Sequence, residues 1–184
     1  MPRYVALFRG INVGKAKRIA MAELRVLLGK LGYADVATLL NSGNAVFTGA
    51  SEPASKHADR IRQAVLKKMG VDALVIVKSA KDIAGIIEGN ELGAIADDHS
   101  RLLVAMTNDG KSLASVKALA TAEWGAEKIH VGKHAAYLWC ANGILESKAA
   151  EALLKGLKGT GTTRNWATLN KIHALMGKGA SDER

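Results

Sequence analysis

Val36–Thr48 reads VATLLNSGNAVFT, two short apolar runs (Val36–Leu40 and Ala45–Thr48) separated by the polar tetrad Asn41-Ser42-Gly43-Asn44. A tetrad of this kind between two strands suits a hairpin or bulged turn, because Asn and Gly accept the positive φ that such turns require. Upstream, Met21, Leu24, Leu27, Leu28 and Leu31 recur at three-and-four spacing, which predicts an amphipathic helix closed by Gly32. Downstream, Pro53 opens a second helical pattern running to about Met69, with Ala58, Ile61, Val65 and Met69 on one face and Lys56, Arg60 and Lys67 on another. Tyr4–Arg9 and Leu74–Lys78 flank the whole as apolar, partly β-branched strands. The order is therefore β-α-β-β-α-β, the split βαβ pattern of a ferredoxin-like layer of helices on an antiparallel sheet.

The same order returns further along. After a short helix capped by Ser79 and Asp82 and a connector at Asn90–Ser100, the pattern predicts strand Leu102–Thr107, helix Lys111–Ala122, strands Lys128–Val131 and Ala136–Cys140, and helix Ser147–Leu157. Where a fourth strand is due, Gly159–Thr163 reads as a loop and a helix is expected from about Arg164 to Met176. The fold class is thus α+β: two tandem ferredoxin-like units with antiparallel sheets, residues 1–79 and 80–184, the second ending in an extra C-terminal helix. The Gly- and charge-rich tail Gly177–Arg184 is expected to fray.

Composition narrows the class of protein. With 184 residues and 48% hydrophobic content the chain can bury a core without a disulfide or metal. Its one cysteine, Cys140, lies in the apolar run AAYLWC and reads as a core residue in a reducing compartment. No apolar stretch approaches the ~20 residues of a membrane span, so a soluble, cytoplasmic protein with no membrane partner is expected. The net charge of +9 is uneven: residues 1–79 hold 13 Lys and Arg against 5 Asp and Glu, whereas residues 80–184 hold 13 against 12. A field of that sign raises the local concentration of phosphorylated metabolites, nucleic acid or acidic proteins.

Three polar segments carry the candidate chemistry. In RGINVGK (Arg9–Lys15) the glycines are separated by three residues and Ala16 follows the lysine, so the triphosphate-binding P-loop signature is not met. What remains is a two-glycine loop able to expose N–H groups beside Arg9, Lys15, Lys17 and Arg18. The second segment is the Ser42-Gly43-Asn44 turn. In the third, TGTTRNW (Thr160–Trp166), Thr162 or Thr163 is placed to cap the following helix, and Arg164 adds a planar fork suited to phosphate or carboxylate.

The five histidines show no i,i+4 metal pair, Ser42 lacks a nucleophile-elbow context, and no carboxylate pair suggests acid-base work. No cofactor or metal site is read from the chain, and the identity of catalytic residues, if any, is left open. The leading expectation is a binding module in which Arg9, Asn12, Lys15, Ser42, Asn44, Thr163, Arg164 and Asn165 converge on a phosphate-bearing or other small anionic ligand in a cleft between the two units. Two alternatives stand beside it. One is an RNA-binding protein using the first sheet and the Lys56, Arg60, Lys67 helix face, with Tyr4, Phe8, Tyr33 and Phe47 as stacking aromatics. The other is an enzyme acting on a small phosphorylated or carboxylated substrate.

YVALFRGINVGK with Met21-Ala22-Glu23-Leu24, LLNSGNAVF, Leu138-Trp139 with Asn142-Gly143-Ile144, Ser147-Lys148, and TTRNWATLNKI together resemble the domain-of-unknown-function 1697 family over essentially the full chain. Departures are Asn41 where Gln or Ala is usual before Ser-Gly-Asn, Lys15 where a second Gly is common, and Ala149 where Leu often follows Ser-Lys. The resemblance implies a duplicated ferredoxin-like α/β architecture. It implies no activity, so no catalytic residue is carried over.

Overall fold

The structure, a computed structural model, describes residues 1–178; the tail expected to fray lies, from residue 179 onward, outside the described residues. It is a mixed α+β chain with two four-stranded antiparallel sheets. Two compact units divide it: Met1–Ile83, joined by the described residues from Ile172 on, and Ala84–Lys171.

The first unit runs β1 (Arg3–Phe8), α1 (Met21–Lys30), β2 (Ala34–Leu39), β3 (Asn44–Thr48), α2 (Ala54–Met69) and β4 (Val75–Ser79). The strands lie in the order β2-β3-β1-β4, with Val5 opposite Val46 on one side and Lys78 on the other. One face presents Tyr4, Ala6, Phe8, Ala45, Phe47, Val75 and Val77 to Leu24, Leu27 and Leu28 of α1 and to Ala58, Ile61 and Val65 of α2. Phe8 and Phe47 are fully buried, and such burial is worth about 1.5–3 kcal/mol for each side chain. Val5, Leu7, Val46 and Ile76, on the alternate positions, are buried as well. This explains why these strands read as continuous apolar runs instead of alternating ones. Beyond β4, helix α3 (Ala80–Glu88) begins with the expected reciprocal cap: Ser79 N–H donates to the Asp82 carboxylate (3.0 Å) and Asp82 N–H to Ser79 Oγ (3.1 Å).

The second unit repeats the element order with β5 (Leu102–Thr107), α4 (Gly110–Ala114), β6 (Lys128–Val131), β7 (Ala136–Trp139), α5 (Lys148–Leu157) and β8 (Gly161–Asn165), followed by α6 (Trp166–Gly177). Its strands take the corresponding order, β6-β7-β5-β8. Two elements depart from the sequence reading. The helix expected over Lys111–Ala122 breaks into α4 and a 3₁₀ helix at Lys117–Thr121. Ser115 accounts for part of this, since its hydroxyl donates to the Ser112 carbonyl at 2.6 Å. The second departure is β8. Gly161–Asn165, taken as a loop and helix start, is the missing fourth strand, with Ala105 opposite Thr163 and Val104 opposite Arg164. The β-branched Thr162 and Thr163 favour the extended form, and pairing with the central strand β5 satisfies their backbone groups.

Candidate functional site

In the first unit the β1–α1 connection and the β2–β3 turn are tied together. After Phe8 the chain passes through positive φ at Gly10 (66°), Asn12 (57°), Gly14 (64°) and Lys17 (50°), and Asn12 N–H donates to the Lys17 carbonyl at 3.0 Å to close the loop. The Asn12 amide is the clamp. Its Nδ2 donates to the carbonyls of Ile19 and Asn41, each at 2.8 Å, while its Oδ1 accepts from Ile19 N–H at 2.8 Å. Arg18 Nη1 braces the same loop through the Gly14 carbonyl (3.1 Å).

The turn interlocks with this loop from the other side. Phe8 N–H donates to the Gly43 carbonyl at 3.0 Å, and Asn44, fully buried, donates from Nδ2 to the Leu39 carbonyl (2.7 Å) and Ser42 Oγ (3.3 Å). Gly43 has φ of 89°, and a Cβ there would stand 2.5 Å from Ile11 Cδ1. Only glycine fits both the conformation and the space.

Between the two loops lies an open depression of about 380 Å³ lined by Asn12, Arg18, Ile19, Ala20, Glu23 and Asn41. Helix α1 starts beside it with Ala20 at the cap position, which has no side-chain oxygen to offer the free N–H groups of the first turn. That end of the helix carries partial positive charge. Lys15, Lys17 and Arg18 are exposed on the loop and Arg9 is half-buried at its base. Among the described residues Arg9 and Lys15 have no acidic partner, whereas Arg62 takes Asp72 at 2.8 Å. The hydrogen bond from Arg62 chiefly holds Asp72 below the usual carboxylate range, with Lys17 adding to it. Glu23 is the opposing charge at the rim.

The expected residues thus divide. Arg9, Asn12, Lys15, Ser42 and Asn44 belong to the first unit, where Asn12 and Asn44 hold the loops in shape; Thr163, Arg164 and Asn165 belong to the second. Thr163 is a strand residue and caps no helix; that role falls to Asn165, whose Oδ1 accepts from Thr168 N–H at 2.8 Å. Arg164 is buried, its Nη1 donating to Thr162 Oγ1 (2.9 Å) and the Thr163 carbonyl (2.8 Å), and burial pulls its guanidinium down to about 10. Arg18 and Asn41 were not among the expected site residues. The basic run before α1 signals the first, but the contact of Asn41 with Asn12 spans 29 residues and leaves no local trace.

A second polar cluster in the first unit surrounds His57, which is fully buried. Its Nε2 meets the Ala50 carbonyl at 3.1 Å, so Nε2 carries the proton and Nδ1 accepts from the Tyr33 hydroxyl at 2.9 Å. Glu52 lies 3.3 Å from Nδ1 and is held by Arg60 at 2.6 Å; Arg60 also donates to the Tyr33 oxygen. Burial keeps the His57 imidazole below its ordinary value, and the Arg60 hydrogen bond keeps Glu52 below its own. In the second unit a smaller depression, about 270 Å³, is lined in part by Glu123, Trp124, Glu127 and Lys128. Glu127 is already committed, accepting from the Ser147 hydroxyl and from Ala149 N–H at the start of α5. Among the described residues no three His, Cys, Asp or Glu side chains are grouped to hold a metal ion, and no helix is long and apolar enough to cross a membrane.

Fold and loops together define an α+β protein of two four-stranded antiparallel sheets whose first unit carries an interlocked, glycine-bearing basic loop pair. The chain belongs to the family of proteins of unknown function DUF1697, whose model matches residues 1–137. It is similar to the solved structure of a conserved bacterial protein from Streptococcus pneumoniae, with 26% identity and a TM-score of 0.78 over 95% of this chain and 98% of that one. No curated protein matches it.

Proposed function

We propose that this protein is a binding module for a small phosphate- or carboxylate-bearing ligand, held by the β1–α1 loop of the first unit. The observation that carries the reading is the depression beside the uncapped start of α1. It combines free helix N–H groups with the Arg18 fork, whose donors other than Nη1 have no protein acceptor among the described residues. Lys15, on the same loop, adds an exposed positive charge. Glu23 at the rim disfavours a fully ionised ligand and limits the site to weak or selective binding.

We also read each unit as a ferredoxin-like split βαβ fold and the pair as a duplication; the matching strand orders support this. The RNA reading loses its stacking platform, because Tyr4, Phe8, Tyr33 and Phe47 are all 7% exposed or less. Arg60 of the basic helix face is drawn into the Glu52–Tyr33 network.

A thermal-shift panel of inorganic phosphate, sugar phosphates, nucleotides and organic acids tests the proposal. A ligand at about 100 times its Kd adds about 2.7 kcal/mol to native stability, a clear rise in Tm. Lys15→Gln should reduce that rise and Glu23→Gln should enlarge it. A panel without any shift, or one in which both variants respond like the wild type, overturns the proposal.

A further inference from the structure

Two aliphatic side chains stand out in water on the same loop pair. Val13 is 72% exposed and Leu40 is 50% exposed, and each is the chain neighbour of one of the two residues, Asn12 and Asn41, joined by the 2.8 Å hydrogen bond. Single exposed aliphatic residues are ordinary. This pair is not, because Leu40 is also held at φ of 59°, a left-handed conformation that a leucine adopts only under strain. The fold therefore sustains an exposed apolar residue in a disfavoured backbone state. The loop joined to it by that hydrogen bond carries Lys15, Lys17 and Arg18, all exposed, and the first unit's aromatic side chains are all buried.

We propose that this loop pair docks on the surface of an anionic lipid bilayer. Val13 and Leu40 enter the boundary between headgroups and acyl chains, while Lys15, Lys17 and Arg18 lie among the phosphates. Exposed aliphatic residues on a loop pair that also carries exposed basic residues match that interface, where apolar insertion and attraction to anionic headgroups act together. Nucleic acid would use the same charges but gains little from Val13 and Leu40, and the absence of exposed rings removes base stacking. The inference rests on the anion-binding reading of the same loop and names its source as the headgroup phosphate of a membrane.

Sedimentation with vesicles of phosphatidylcholine alone, or with a third phosphatidylglycerol, tests it with the full chain. The wild type should pellet with the anionic vesicles at low salt, be released at high salt, and ignore pure phosphatidylcholine. Lys15→Gln with Lys17→Gln should weaken partitioning by roughly thirtyfold, and Val13→Ser with Leu40→Ser by about tenfold or more. The serine pair must leave the Tm rise with inorganic phosphate intact, which separates docking from anion binding as such. If phosphate raises the Tm but anionic vesicles do not retain the protein, docking is wrong and the anion site survives. Full retention of the serine pair, or displacement of the protein from vesicles by single-stranded RNA in favour of a tighter RNA complex, also overturns docking.

Discussion

Asn12→Ala removes the clamp on which the site depends, and its cost can be worked from the contacts. Three hydrogen bonds of 2.8 Å are lost, and a typical buried bond contributes about 1 kcal/mol net. Ile19 is 3% exposed, so its N–H and carbonyl are left without water, whereas the Asn41 carbonyl lies on an exposed residue and recovers part of its loss. The bonds therefore account for about 2 kcal/mol. Alanine must also adopt φ of 57°, which Asn tolerates through local hydrogen bonding and which costs an ordinary residue about 1 kcal/mol. The expected destabilisation is about 3 kcal/mol, read as a fall in the urea midpoint with unchanged m-value. Asn12→Gly, which relieves the backbone term alone, should recover about 1 kcal/mol of it. A loss below about 1 kcal/mol for Asn12→Ala, or no difference between the alanine and glycine variants, refutes the reasoning.

Gly43→Ala should destabilise by at least about 2 kcal/mol, since it combines a strained φ with a clash against Ile11, and a near-neutral midpoint in urea would contradict the interlocked-loop geometry. The buried His57 imidazole titrates below the usual 6.5, so its neutral form is compatible with the fold above that pH and stability is lost as pH falls from 6.5 toward the lower folded value. Urea melts between pH 7 and pH 5 should show this slope, and His57→Gln should flatten it; an equal slope in the variant removes His57 as its source. Cys140 is fully buried, its thiol pushed up by burial against the opposing hydrogen bond with Ser147. A thiol reagent should therefore label it only in denaturant, and fast labelling of the native protein would contradict the packing of α5 on β7.

What could be read from the sequence followed local physics. The Val36–Thr48 hairpin, the Ser79–Asp82 cap and the amphipathic stripes of α1 and α2 are set by neighbours within a few residues, and each is present. The strand β8 was not legible because Thr162-Thr163-Arg164-Asn165 is polar, and its strand character comes from pairing with β5. The same holds for Arg164, whose side chain looks like a surface fork in sequence and is a buried brace in the fold. At the candidate site, the basic loop and its glycines announced themselves. The Asn12–Asn41 bridge and the selection of Arg18 and Glu23 as rim residues are tertiary facts that no period or motif encodes. Asn12 and Asn44 were expected at the ligand, and in the fold their amides hold backbone groups of the two loops, the role an Asn in a tight loop commonly takes.

On the proposed reading, the loop between β1 and α1 takes an anion. An amide-resolved NMR titration of the full chain with inorganic phosphate tests this, because the free N–H groups at the start of α1 are themselves the reporters. Saturable shifts concentrated between Gly10 and Leu24, diminished by Lys15→Gln, are the predicted result. Shifts that scatter through both units without saturating, or that leave Gly10 to Leu24 untouched, would contradict the account.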